Sequence, residues 1–291
     1  MSRASAIFAR AAFAVMVFAS FVLSGLAHAA PQRVVSVNLC TDQLAMLLAS
    51  EQQLHAVSHL ASDADTSILA AKAKRYRSNH GFAEEVFLMR PDLVFAGTFT
   101  SRATVSILRR LGIRVEEFAP ANSFADIRAN LLRMGRLLAR EREAEAVVEE
   151  FDAALAATAE KNTEAKNKKP VAALYYSNNY TSGSGTLAAE IIERADIDNL
   201  ASNIGIVGTV KLPLEVLVTE NPDVVVTGKR YGPTGSRASE VLGHPALNGL
   251  ARGSSQAVVQ EKYWVCGLPF ALEAVKRLRR AVHQPRGGTV E

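Results

Sequence analysis

One fourteen-residue stretch of this chain occurs twice, and that duplication narrows the fold more than any other feature. EEVFLMRPDLVFAG at 84–97 aligns without a gap on EVLVTENPDVVVTG at 215–228, and five positions are identical, the leading Glu, the Pro-Asp pair and the final Gly among them. Each copy reads as a short helix, a break, and a buried strand. Proline explains the break: it disfavours helix in the residue before it and has no N–H to donate. Leu93 to Ala96 and Val224 to Val226 are unbroken apolar runs, the pattern of parallel strands covered on both faces. A shorter echo follows each copy, Ser101-Arg102-Ala103 against Ser236-Arg237-Ala238. The simplest reading is two related α/β lobes.

Around the repeats, strands and helices alternate, as parallel sheets require. Strands are expected at Arg33 to Val37, His55 to Ser58, Leu93 to Ala96 and Arg114 to Glu117. The second half offers strands at Val171 to Tyr176, Val224 to Val226 and Ala257 to Gln260. Its helices are expected at Leu187 to Arg194, at Pro213 to Glu220 and from Pro269 onward. Between the halves, Ser123 to Lys169 holds no proline. Ala144, Val147, Val148, Phe151 and Leu155 recur there at helical spacing, with charges on the other face. A helix from Glu141 to roughly Glu160 would be about 30 Å long, a stiff link that fixes the width of a cleft. The expected organisation is therefore a leader over 1–29, a first lobe over 30–122, linking helices and loop over 123–169, and a second lobe over 170–291.

The leader reads as a secretory signal. Arg3 and Arg10 give a positive start, Ala11 to Leu23 is almost wholly apolar, and Ala27-His28-Ala29 presents small residues for cleavage after Ala29. The apolar run is short of the ~20 residues that span a bilayer, so the mature protein is expected in the periplasm. Without the leader, 31 basic residues face 29 acidic ones, and no basic tract interleaved with aromatics occurs. Nucleic acid is thus a poor partner. Neither G-x-S-x-G nor a P-loop is present; Thr181-Ser182-Gly183-Ser184-Gly185-Thr186 lacks the latter's lysine but can offer N–H groups to an anion.

In order and spacing, these segments resemble the periplasmic binding proteins of ferric-siderophore, cobalamin and haem ABC importers. The anchors are RVVSVNL, AEEVFLMRPDLVFAG, LGIRV, the long linking helix and LPLEVLVTENPDVVV. The resemblance implies two Rossmann-like lobes joined by a single long rigid α-helix, with ligand in the cleft between them and no catalysis. It also implies that Glu84 and Glu215, each seven residues before its repeat's proline, dock on an inner-membrane ABC permease dimer with its cytoplasmic ATPase. Both glutamates begin a helix, where a carboxylate is favoured by the macrodipole.

In parallel α/β sheets, ligands meet the loops at the carboxyl ends of the strands. The expected lining is Asn38, Thr41, His59, His80, Phe99 and Arg102 from the first half, with Tyr180, Arg230, Tyr231 and Trp264 from the second. Aromatic faces and guanidinium groups suit a large anionic or flat chelate. No cofactor is expected; the cargo would be a ferric siderophore or a corrinoid, bound by a monomer. A haem or free-metal carrier is the alternative, with His59 and His80 as the available imidazoles, and a chelatase-type enzyme on this fold a further one. Cys40 and Cys266 each follow an expected strand, one per half. A bridge needs their Cα atoms within about 7 Å and would clamp the lobes; two buried free thiols are the expected state.

Overall fold

The computed structural model describes residues 30–159, 169–227, 242, 244–247, 250 and 255–283. The first half runs β1 (Val34–Ser36), α1 (Leu39–Leu48), β2 (Leu54–Ser58), a 3-10 turn at His59–Ser62, α2 (Ala70–Ala73) and β3 (Arg77–Asn79). It continues with α3 (Ala83–Leu88), β4 (Leu93–Gly97), α4 (Arg102–Arg110) and β5 (Val115–Phe118). Two helices follow, α5 (Phe124–Leu138) and α6 (Glu141–Ala157). The second half holds β6 (Val171–Tyr175), β7 (Tyr180–Ser182), α7 (Leu187–Arg194), β8 (Asp198–Asn199), α8 (Leu200–Asn203), β9 (Thr209–Lys211), α9 (Leu214–Glu220), β10 (Val224–Thr227), β11 (Ser255–Val258) and α10 (Ala271–His283).

The strands form a five-stranded sheet in the order β3-β2-β1-β4-β5 and a four-stranded sheet in the order β11-β10-β6-β8. All pairings in both are parallel. Parallel strands need helical crossovers, which is why strands and helices alternate in the sequence. A separate antiparallel pair, β7 with β9, sits outside both sheets. The fold is the expected α/β class with two parallel sheets.

Alternation along each strand assigns its two faces to different cores. Val34, Leu93 and Phe95 share one core with Ala172, Leu174, Val224 and Val226, so one face of each sheet feeds a common apolar body. Val35, Val94 and Ala96 point into a core of the first half alone, and Ala173, Tyr175 and Val225 into one of the second. Burying each such Val or Leu contributes about 1.5–3 kcal/mol.

The two middle helices belong to the common core through Ile127, Leu131, Met134, Ala144, Val148 and Phe151. They pack closely because residue 135 is Gly: a Cβ there would lie 2.4 Å from the Ala144 Cβ. Ala139 closes α5 in the left-handed conformation. Helix α6, 17 residues and about 25 Å long, touches a different half at each end. At its start the Arg140 Nε donates to the Leu48 carbonyl at 3.4 Å. At its end the Leu155 carbonyl and Thr158 hydroxyl accept from Arg194, at 2.6 and 2.8 Å.

The repeat extends to detail. Asp92 and Asp223 each hold the start of a central strand, and Arg90 and Asn221, aligned in the two copies, both have positive φ, 49° and 44°. The structure also contains elements that apolar patterning does not signal: β3, β7, β8 and β9. The last described strand is Ser255–Val258, two residues earlier than expected, and α10 starts at Ala271 rather than Pro269.

Candidate functional site

Each parallel sheet has a carboxyl edge, and the loops leaving those edges carry most of the expected lining. In the first sheet these are the loops after β3, β2, β1 and β4, which lie side by side. At ~4.8 Å between strands, that edge spans about 14 Å. His80 leaves β3 and His59 leaves β2, and adjacency of the two strands brings the rings together: they stack with centroids 4.9 Å apart. Phe82 continues the row, 6.4 Å from His80. Phe82 is 63% exposed, and Phe99, after β4, is 87% exposed. Exposed apolar rings of this size along one edge make it a candidate binding surface. Glu85 steadies the row: its Oε2 accepts from the His80 backbone N–H at 2.7 Å, and its Oε1 lies 3.5 Å from His80 Nδ1.

Other expected residues stand in different settings. Asn38 is the N-cap of α1, its Oδ1 accepting from the Cys40 and Thr41 N–H groups. Its amide lies so close to Gly97 that a Cβ there would meet Asn38 Nδ2 at 2.9 Å. Thr41 is buried, its hydroxyl shared between Ser36 Oγ and the Asn38 carbonyl. Arg102 opens α4 and lines an outer hollow of about 410 Å³ with Arg109, Arg110 and Glu117. Trp264 is 7% exposed and sits in the common core rather than on an open wall. Arg230 and Tyr231 lie outside the described residues.

From the second half, the exposed Tyr180 starts β7 and pairs with Lys211 of β9. The Lys211 ammonium lies 6.0 Å from the Tyr180 ring centroid, a cation over an aromatic face. The sequence reading missed Lys211 because β9 has no apolar alternation; its three residues are all exposed. Asn178 and Asn179, both left-handed with φ of 60° and 64°, turn the chain between β6 and β7. Much of the Gly-rich stretch is engaged by the protein itself: Gly183 N–H donates to the Gly208 carbonyl at 2.9 Å, Ser184 N–H to the Ile206 carbonyl at 3.0 Å, and Thr186 caps α7. A Cβ on Gly183 would meet the Ile206 carbonyl at 2.1 Å, so this glycine serves a close backbone approach.

The expectation of free thiols is overturned. Cys40 and Cys266 are joined in a disulfide, with Cα atoms 4.8 Å apart across 226 residues of sequence. The bridge joins the start of α1, which follows β1, to the segment after β11, and the spacing of residues in the chain carries no signal of that.

Glu84 and Glu215 are both exposed, in the first turns of α3 and α9. Glu215 also borders a hollow of about 430 Å³ with Asn178, Asn179, Lys211, Leu212 and Pro213. Burial, reinforced by the Glu215 charge, raises the pKa of the Tyr175 phenol behind it. Among the described residues, no group of three or more His, Cys, Asp or Glu is placed to hold a metal ion. No helix among them is long and apolar enough to cross a membrane.

Two parallel sheets, joined through a common core and a disulfide, with exposed rings at the carboxyl edge of one, define a two-lobed α/β architecture. The chain belongs to the periplasmic binding protein family, whose model matches residues 34–258. A cobalamin-binding protein of Halobacterium salinarum is 26% identical over 257 residues, covering 87% of this chain and 70% of the relative. Among solved structures, a periplasmic haem-binding protein of Pseudomonas aeruginosa superposes with a TM-score of 0.73 at 22% identity, over 89% of this chain and 96% of its own. The periplasmic vitamin B12 binding protein of Vibrio cholerae gives 0.65 at 16%, over 87% and 96%.

Proposed function

We propose that this protein captures a bulky metal chelate, a corrinoid in the first instance, in the periplasm and delivers it to an inner-membrane ABC permease. The observation that carries this reading is the row of exposed rings, His59, His80, Phe82 and Phe99, along one carboxyl edge. An edge of about 14 Å suits a macrocycle better than a small ion, and Tyr180 with Lys211 adds an aromatic face and a positive charge. The sequence similarity to a cobalamin-binding protein points the same way. Recognition of a preformed chelate needs no nucleophile or general base, and the protein acts as a carrier. Glu84 and Glu215, one on each half, are the docking points for basic residues of the permease.

Titration calorimetry with cyanocobalamin, haemin and a ferric hydroxamate tests the reading. The expected result is tight binding of cyanocobalamin, weakened about tenfold by His59→Ala with His80→Ala, the size of one or two lost aromatic contacts. Binding of the hydroxamate with no response to cyanocobalamin would overturn the corrinoid assignment.

A further inference from the structure

The segment from Lys262 to Gly267 follows β11 in the second half, yet three separate contacts hold it to the first. Lys262 Nζ donates to the Ala64 carbonyl at 2.9 Å. Cys266 is bonded to Cys40 in the first turn of α1. Gly267 lies so near Ala121 that a Cβ would come within 2.4 Å of the Ala121 Cβ, and its φ is 57°. Apart from the chain through α5 and α6, the strap's disulfide is the covalent tie between the halves; the strap carries Trp264, and Cys40 stands between Asn38 and Thr41 of the expected lining.

We propose that the strap is a redox-operated latch: the disulfide holds the two halves at a fixed spacing and prolongs chelate residence, and a dithiol reductant releases it. The two cysteines differ in burial. Cys266 is 5% exposed, whereas Cys40 is only partly covered. A reductant thiolate therefore attacks the Cys40 sulfur, forming a mixed disulfide and expelling the Cys266 thiolate, which takes up a proton. The second reductant thiol then attacks the mixed disulfide and releases the Cys40 thiolate, which is favoured at a helix N-terminus before it too is protonated. Two electrons and two protons pass to the protein, and the reductant leaves as a disulfide. With the bond gone, the Lys262 hydrogen bond, the close approach of Gly267 to Ala121 and the packing of Trp264 in the common core are what still hold the strap.

The residence-time part of this proposal rests on the chelate-binding reading; the spacing part does not. The experiment compares the oxidised protein with the same sample reduced by dithiothreitol and then reoxidised. Small-angle scattering reads the spacing, hydrogen exchange reads segment 262–267, and cyanocobalamin release reads residence. The expected result is faster exchange in the segment, a larger radius of gyration and release about tenfold faster, all restored on reoxidation. Cys266→Ser should reproduce the reduced state without reductant. Unchanged scattering and exchange after verified reduction overturn the proposal, as do two titratable thiols in the untreated protein. Collapse of the far-ultraviolet circular dichroism on reduction also overturns it, since the bridge would then be structural only. If the oxidised protein binds no cyanocobalamin, the chelate reading falls while scattering and exchange still decide the latch.

Discussion

Asp92 and Asp223 occupy the same place in the two copies of the repeat and perform the same task. The Asp92 carboxylate accepts from the backbone N–H groups of Gln32 and Arg33, at 2.6 and 3.1 Å, where the chain enters β1. The Asp223 carboxylate accepts from the Val171 N–H at 2.9 Å, where the chain enters β6. In each half a short loop before one central strand thus fastens the start of its neighbour. A repeat that agrees in residue identity, backbone conformation and hydrogen bonding is one structural unit used twice.

That equivalence predicts similar penalties. Asp92→Ala and Asp223→Ala should each cost about 1–2 kcal/mol, the usual worth of hydrogen bonds to a charged acceptor near the surface. Urea unfolding of each variant measures this. A loss confined to one of them would show that the two halves are not secured alike.

Burial sets a second expectation. Asp42 in α1 is fully buried, which raises its pKa from 3.8 to about 6 against the opposing help of Ser36 and Ser58 hydroxyls. Ser58 Oγ donates to Asp42 Oδ2 at 2.5 Å. Between pH 3.8 and about 6 the folded protein holds a proton that the unfolded chain has released. Stability therefore falls as pH rises through that window, by about 2–3 kcal/mol in all, and stays at the lower level above it. Asp42→Asn should remove this slope and leave the protein more stable than wild type at pH 7.5. Denaturant midpoints at pH 4.5 and 7.5 for both proteins give the comparison.

Much of the fold was legible because buried parallel strands are written as apolar runs: Leu93–Gly97 and Val224–Thr227 could hardly be anything else. Helix α6 was legible through its stripe of Ala144, Val148 and Phe151. The site was legible only as a set of strand ends. That His59 touches His80 depends on β2 pairing with β3, and β3 is Arg-Ser-Asn, a strand made by its neighbour rather than by its own residues. Trp264 follows a strand as a lining residue would, but the strap folds it inward. Fold and sheet order decide such distances, and no local pattern reports them.

Because Trp264 packs in the common core, its substitution should act on stability rather than on binding. Trp264→Phe removes part of a buried ring system and is expected to cost about 1–3 kcal/mol, with cyanocobalamin affinity within about twofold of wild type by calorimetry. A large loss of affinity at unchanged stability would return this residue to the lining.

The bridge itself has a predicted worth. Removal of a native disulfide typically costs about 2–5 kcal/mol, more for longer loops, and Cys40–Cys266 closes one of 226 residues. In a domain of this size, each kcal/mol moves the melting point by roughly 2–4 °C. Reduced protein should therefore melt roughly 5–15 °C below oxidised protein while remaining folded at room temperature. Calorimetric scans with and without reductant measure the shift, and equal melting points would mean that the bridge holds nothing the rest of the fold does not.

Glu84 and Glu215 make the strongest prediction about partners, because the repeat puts them at the same turn of the same helix in each half. Both carboxylates are exposed, and exposed charges contribute little to folding. Lysine at either position should leave the melting point within about 1–2 °C of wild type and leave cyanocobalamin affinity unchanged. At a docking interface, reversal replaces attraction by repulsion against the same basic partner, which costs several kcal/mol. Uptake in cells that depend on this protein should then fall by about tenfold or more for each single variant, and to background for the double variant. If affinity fell in step with uptake, Glu84 and Glu215 would belong to the cleft instead.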